Sequence, residues 1–173
     1  MKARSILAAT IAVPSMVASP LVGAADAYPS RPIRMVLGYA PGGTTDITAR
    51  LLGAHLALAW DQQVIVDNRP GGGATIATAI VARAQPDGYT LYSTPSGSHT
   101  ANPSLYKKLP YDTVKDFEPV TLYAWVPNMI VTHPSRPINN LQERVRAAKE
   151  KPGAITDATP WPGTGAHLSA ELL

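Results

Sequence analysis

Short apolar stretches alternate with helical patterns in the first half of the chain, and a glycine-rich turn follows each of the first two stretches. The apolar stretches are bounded by proline, glycine or asparagine, as is typical of buried strands, and the intervening segments repeat apolar residues every three or four positions. Strands that alternate with helices in this way predict an α/β fold with a mostly parallel sheet. The predicted strands are residues 33–39, 63–67 and 89–94, and the predicted helices are residues 46–60 and 75–84.

The second half is less regular, and its pattern predicts shorter elements. The connection over residues 94–117 is too long for an ordinary loop, so we expect it to be functional or to contain a short helix. Asn139 or Asn140 is predicted to cap a helix that has Glu143 in its first turn, and a final helix is predicted to begin near Ala166. Three further strands are predicted at residues 119–126, 128–132 and 154–159.

The composition excludes several classes of function. The chain has no cysteine, so it has no disulfide framework, thiolate nucleophile or cysteine-bound zinc. No HExxH motif, Walker A motif, G-x-G-x-x-G turn or G-x-S-x-G elbow is present, so we expect no metal and no cofactor. Lys and Arg are scattered along the chain, which argues against nucleic acid as a partner.

The amino terminus has the pattern of a secretory signal peptide. Lys2 and Arg4 precede an uncharged, largely apolar run over residues 5–25, which ends in small residues. We expect residues 1–24 to be a signal peptide, cut after Ala24 or Ala27, with an uncleaved membrane anchor as the alternative. Either cut leaves a mature chain that is almost neutral.

The turn over residues 41–46, Pro-Gly-Gly-Thr-Thr-Asp, lies between a predicted strand and a predicted helix. Glycines allow the backbone to approach a ligand, and the free N–H groups of the first helical turn favour an anion, so a carboxylate fits this turn. A structural turn with a helix cap is the alternative. Asp46 would repel a bound anion, and three roles remain open for it: capping the helix, binding a ligand ammonium group or holding bridging waters.

A second turn, Gly163-Thr164-Gly165, has the same strand, turn and helix placement and precedes His167. If the two turns belong to separate subdomains, they are expected to face each other across a cleft.

Five ordered stretches resemble the Bug-type extracytoplasmic solute receptors of tripartite tricarboxylate transporters. The similarity extends from residue 28 to residue 173. The stretches, at residues 28–33, 40–46, 67–71, 84–90 and 102–112, read YPSRPI, APGGTTD, DNRPG, AQPDGYT and NPSLYKKLPYD.

The resemblance implies a periplasmic-binding-protein-like, two-domain (flytrap) α/β architecture. Residues 28–132 would form the first domain and residues 133–173 the start of the second, with a hinge near residues 132–134; family members are longer, so the second domain is expected to be truncated here. The family captures small carboxylates, such as organic acids, acidic amino acids or aromatic acids, in the periplasm and passes them to a membrane permease. Its members are not enzymes.

The resemblance also implies which loops bind the ligand, and it gives Asp46 a water-organising role. Trp161 departs from the family's small polar run in the second loop. The predicted ligand-binding residues are Tyr39, Pro41, Gly42, Gly43, Thr44, Thr45, Asp46, Ser96, Ser98, His99, Thr159, Gly163, Thr164, Gly165 and His167.

Two other functions remain as alternatives. The chain could be a remnant of such a receptor that no longer binds. It could also be a periplasmic serine-type enzyme, because Ser104 and Lys107 fit the S-x-x-K pattern, although the Ser-Asp-Asn and Lys-Thr-Gly motifs that accompany it are absent.

Overall fold

The structure is a computed structural model that describes residues 27–159 and 162–173. The predicted signal peptide and Trp161 lie outside these ranges. The strands are β1 (Ile33–Leu37), β2 (Val64–Asn68) and β3 (Thr90–Ser93), and a 3₁₀ turn spans Gly72–Ala74. The helices are α1 (Thr44–Trp60), α2 (Thr75–Ala82), α3 (Ser96–Leu105), α4 (Leu141–Glu150) and α5 (Gly165–Glu171).

The three strands form one parallel sheet in the order β2-β1-β3, which confirms the predicted parallel α/β fold. In this register Met35 of β1 lies beside Val66 of β2 and Leu91 of β3. The central strand β1 has the most continuous apolar sequence, IRMVL, and its four apolar side chains are at most 2% exposed. Its apolar run therefore forms the middle of the core.

Helices α1 and α2 cover opposite faces of the sheet. Met35 and Leu37 point to one face, where they pack with Ala49 of α1. Gly38, which follows β1, lies on the other face against Ala74 and Ala77 at the start of α2. Because the connections from β1 and from β2 pass over different faces, the order of the sheet reverses between β1 and β3, and the carboxyl ends of strands at such a point are where these sheets bind ligands.

Gly53 explains how closely α1 approaches the sheet. A Cβ atom at this buried position would lie 3.2 Å from Cγ1 of Val64 in β2. Glycine in a helix costs about 1 kcal/mol relative to alanine, so here close packing outweighs helix propensity.

The long connection after β3 does contain a short helix, as the sequence predicts. Helix α3 follows β3 after only two residues, and buried Asn102 ties it to the 3₁₀ turn by donating from Nδ2 to the carbonyl of Gly73 at 3.0 Å. Tyr106 donates to the neighbouring carbonyl of Gly72, also at 3.0 Å. These two bonds fix the position of α3 beside the sheet.

Helix α4 confirms the predicted cap. Asn140 is the N-cap, and its side-chain oxygen accepts from the N–H of Glu143 at 2.9 Å. The carboxylate of Glu143 in turn accepts from the backbone N–H of Asn139 at 2.7 Å, and this bond lowers the pKa of Glu143. Glu143 thus reaches back to the residue before the N-cap, an arrangement related to a capping box, in which the glutamate binds the N–H of the N-cap itself.

The predicted strands at residues 119–126, 128–132 and 154–159 are wrong, because the structure has no strand in any of these three segments. Val120, Leu122 and Trp125 are between 73% and 85% exposed, so they do not pack as strand residues do. A strand forms only when its backbone pairs with a neighbour, and within the described residues the sheet ends at β2 and β3.

Over residues 27–159 and 162–173, no helix is both long enough and apolar enough to cross a membrane.

Candidate functional site

Two helices begin at the same edge of the sheet. β1 leads through the turn at residues 38–43 into α1, and β3 leads through Thr94 and Pro95 into α3. Because β1 and β3 are neighbouring parallel strands, their carboxyl ends meet, and α1 and α3 both begin at this edge of the sheet. This edge contains the predicted first ligand loop.

The first turn of α1 presents backbone N–H groups to solvent. Its N-cap is Gly43, an extended residue (φ −77°, ψ 167°) with no side chain to accept a hydrogen bond from the helix. Gly42 has φ +85°, a conformation that favours glycine, and Gly42, Gly43 and Thr44 are all exposed. The N–H groups of this turn have no acceptor within the helix, so an external anion can bind them.

Helix α3 has a similar amino terminus, because its N-cap is Pro95, which also has no side-chain acceptor. Ser96 is exposed there, whereas Ser98 is only 1% exposed and its hydroxyl pairs with that of Tyr39. Burial raises the pKa of Tyr39 and the hydrogen bond with Ser98 lowers it, with a net increase that keeps the phenol protonated. The structure therefore brings together the predicted residues Tyr39 and Ser98.

Asp46 lies under the turn and is only 3% exposed. Its carboxylate accepts from the Gly42 N–H at 2.9 Å, from Asn68 Nδ2 at 3.0 Å and from Arg50 Nε at 3.0 Å. The hydrogen bond from Arg50 and then that from Gly42 lower the pKa of Asp46 to about 2. Asp46 is therefore ionised at neutral pH and holds the turn from inside.

Sequence reasoning missed Arg50 and Asn68. Arg50 lies one helical turn after Asp46, and its Nη2 contacts Asp46 Oδ1 and Asn68 Oδ1, each at 2.9 Å. Asn68, the last residue of β2, also donates from Nδ2 to the carbonyl of Tyr39 at 3.0 Å. The Asp-x-x-x-Arg spacing was a visible signal for Arg50, since residues four apart share a helix face.

The second predicted turn packs directly against α3. A Cβ atom on Gly97 would lie 3.2 Å from the backbone nitrogen of Gly165, and one on Gly163 would overlap the side chain of Leu105. Thr164 is the N-cap of α5 and accepts from the N–H of His167 at 3.2 Å. Helix α3 therefore lies between the two predicted loops. Its Ser98 contacts Tyr39 of the first loop, and the adjacent Gly97 packs against Gly165 of the second.

The remaining predicted residues of the second loop have local contacts. His167 Nδ1 accepts from the N–H of Gly163 at 3.4 Å, and its Nε2 lies 3.7 Å from the carboxylate of Glu171. Thr159 is half-buried and is the last described residue before the gap. His167 therefore braces the turn that contains Gly163.

His99 lies in an aromatic cluster. Its ring meets that of Phe117 edge to face, with centroids 5.0 Å apart, and lies 6.1 Å from that of Tyr92. Its Nε2 lies 3.0 Å from the carbonyl of Thr113. These contacts anchor the loop after α3, whereas Ser98, one residue earlier, contacts Tyr39 of the predicted ligand loop.

The two residues of the S-x-x-K pattern lie at the surface. Ser104 and Lys107, the residues of the S-x-x-K pattern, are both exposed at or beyond the end of α3, whereas an activated serine needs a base held within hydrogen-bond reach. In the part of the chain that the structure describes, no three His, Asp or Glu side chains are grouped so that they could hold a metal ion.

Comparison with known proteins identifies relatives over most of the chain. Residues 48–173 match the tripartite tricarboxylate transporter family receptor. BugT of Bordetella pertussis is 38% identical over 149 residues, which are 86% of this chain and 46% of BugT.

Two solved structures have the same fold. R. palustris Rpa4515 with adipate superposes with a TM-score of 0.79 at 34% identity, over 84% of this chain and 48% of that one. The periplasmic binding protein BugD gives a TM-score of 0.72 at 35% identity, with the same coverage. The chain therefore spans about half the length of the relatives that it matches.

Proposed function

This chain belongs to the tripartite tricarboxylate transporter receptor family, and on that premise we propose that it is the ligand-binding amino-terminal part of a receptor for a small carboxylate. The observation that supports this most directly is that two helices, α1 and α3, begin at the same edge of the sheet. Neither N-cap residue, Gly43 or Pro95, has a side-chain acceptor, so both helices offer N–H groups to a ligand.

The electrostatics of this edge favour an anion. Each helix amino terminus has roughly half a positive charge, and a negative group there gains about 0.3–1 kcal/mol when exposed and up to ~2 kcal/mol when partly buried. Helix α1 has 17 residues and α3 has 10, so both are long enough to develop this dipole. Thr44, Thr45 and Ser96, three of the predicted ligand-binding residues, lie on these first turns. Their hydroxyl groups would donate hydrogen bonds to the same ligand.

The relatives support the chemical class of the ligand and the site of action. Adipate, a linear dicarboxylate, is bound in the R. palustris relative, and BugD is a periplasmic binding protein. We propose that the chain is exported by the signal peptide over residues 1–24, captures its ligand in the periplasm without chemical change and delivers it to a membrane permease.

Isothermal titration calorimetry tests the binding step. The full chain is titrated with adipate, succinate and citrate, and with adipamide, which has the length of adipate and no charge. We expect at least one carboxylate to bind and adipamide to give no heat, because the site recognises negative charge. A chain that unfolds cooperatively on heating but binds no carboxylate would contradict the proposal, and so would equal affinity for adipate and adipamide.

A further inference from the structure

A buried negative charge lies at the end of α1 where the proposed ligand carboxylate would bind. The side chain of Asp46 is 5% exposed, and its Oδ2 accepts from the N–H of Gly42, in the same turn whose other N–H groups are offered to the ligand. Two carboxylates this close would repel each other strongly in a site with little water. The turn can attract an anion only if the charge of Asp46 is balanced.

Arg50 supplies that balance with a two-point contact. Its Nε donates to Asp46 Oδ2 at 3.0 Å and its Nη2 lies 2.9 Å from Asp46 Oδ1, so the guanidinium group is matched to both carboxylate oxygens. The side chain of Arg50 is 51% exposed, unlike that of Asp46. The ion pair is therefore neutral overall, with its negative member buried and its positive member reaching the surface.

Asn68 fixes this pair relative to the turn. Its Nδ2 donates to Asp46 Oδ1 and to the carbonyl of Tyr39, while its Oδ1 accepts from Arg50 Nη2. A single amide group thus contacts the carboxylate of Asp46, the guanidinium group of Arg50 and the backbone that leads into the turn. Asn68 therefore connects the end of β2 to the first turn of α1 and to the backbone just after β1.

We propose that Arg50 is the positioning residue that makes this turn selective for anions, because it neutralises Asp46, and that Asn68 holds the pair in place. The inference rests on the proposed carboxylate-binding function. It assigns the selectivity of the site to a side chain on the second turn of α1.

A purely structural role for the pair makes a different prediction. If Arg50 only stabilises the fold, removing it should lower the melting temperature and leave the adipate affinity of the folded chain unchanged. If Arg50 acts by neutralising charge, removing Asp46 as well should restore binding. A double-mutant cycle separates the two roles.

The experiment measures adipate affinity by calorimetry for the full chain and for Arg50→Gln, Asp46→Asn, the double variant and Arg50→Lys. We expect Arg50→Gln to weaken adipate binding by roughly tenfold or more, because an unbalanced negative charge remains beside the ligand. Asp46→Asn removes the buried negative charge and keeps an oxygen that can accept from the Gly42 N–H, so it completes the cycle. The double variant should recover the affinity that Arg50→Gln loses and bind adipate within about threefold of the unsubstituted chain, and Arg50→Lys, which keeps the positive charge, should bind adipate more tightly than Arg50→Gln.

Each outcome decides between the roles. If the unsubstituted chain binds adipate and Arg50→Gln binds it equally well, or if the double variant is no better than Arg50→Gln, this inference is overturned and the proposed function stands. If the unsubstituted chain binds none of the carboxylates, both fall together. If Arg50→Gln does not fold, the double variant decides the matter, and an adipate affinity more than tenfold below that of the unsubstituted chain overturns the inference.

Discussion

Replacing Thr44 by proline removes one backbone N–H from the proposed anion site without disturbing the helix. Thr44 is the first residue of α1, a position where proline is favoured because its missing N–H has no helical acceptor. The preceding residue, Gly43, has φ −77° and ψ 167°, the extended conformation that a residue before proline prefers. The change is therefore expected to leave the stability unchanged or to raise it by about 0.4–1 kcal/mol.

The expected effect on binding is large, because a hydrogen bond to a charged group contributes about 1.5–3 kcal/mol. At 1.4 kcal/mol for each tenfold change, the loss of one amide donor should weaken adipate binding by roughly 10- to 100-fold. The change also removes the hydroxyl group, so Thr44→Val, which keeps the N–H, is the matched control. Calorimetry with adipate measures both variants, and thermal unfolding checks that both are folded.

The comparison of the two variants isolates the backbone donor. We expect Thr44→Pro to bind adipate more weakly than Thr44→Val by about tenfold or more. If the two variants bind equally well, the N–H of Thr44 does not contact the ligand, and the reasoning from the helix amino terminus is refuted.

Three further predictions concern stability. Gly38→Ala should lower the free energy of unfolding in urea by about 1–3 kcal/mol, because its Cβ would lie 2.8 Å from Cα of Ala74. Gly43→Ala, whose Cβ would lie 3.6 Å from the carbonyl oxygen of Ala40, is the control, and an equal loss in both would refute the packing argument. Because the pKa of Asp46 is lowered to about 2, its stabilising effect should persist from neutral pH down to the unfolded pKa of about 3.9 and disappear as the pH falls towards 2. The melting temperatures of the unsubstituted chain and of Asp46→Asn should converge over that range, and a constant difference between them would contradict this. Asn102→Ala should lower the free energy of unfolding in urea by about 1–3 kcal/mol, because it removes the hydrogen bond to the buried Gly73 carbonyl. Ser104→Ala, on the exposed side of α3, should change it little, and similar losses in both variants would show that the Asn102 hydrogen bond is unimportant.

The elements that the sequence predicts correctly are those whose signals are local. The apolar run of β1 and the Asn140 cap of α4 with Glu143 are each determined by residues close in the chain, and the structure confirms both. The strands predicted over residues 119–132 have a strand-like composition, but a strand also needs a neighbour to pair with. That requirement depends on the rest of the fold, so composition alone was insufficient.

The same distinction applies to the site. The turn at residues 41–46 was predictable, because a glycine pair between a strand and a helix has the same local meaning in any parallel sheet. The role of Asn68 was not, since it depends on β2 lying beside β1 and bringing an amide to Asp46, 22 residues away in the chain. His99 shows the opposite case, because its neighbour Ser98 joins the ligand loop while its own ring packs against Phe117.

The proposed anion recognition at this edge depends on three kinds of charged or polar group: the helix backbone, one carboxylate and one guanidinium group. The backbone of α1 and α3 supplies partial positive charges that are fixed by the helices and do not titrate. Asp46 shapes the turn by binding the Gly42 N–H, but it brings a full negative charge into the same space. Arg50 cancels that charge from the second turn of the helix, so the turn keeps the geometry that Asp46 gives it and its N–H groups remain attractive to a carboxylate. Asp46, which by itself would oppose the proposed ligand binding, is therefore compatible with it, provided that the arginine four residues later stays in place.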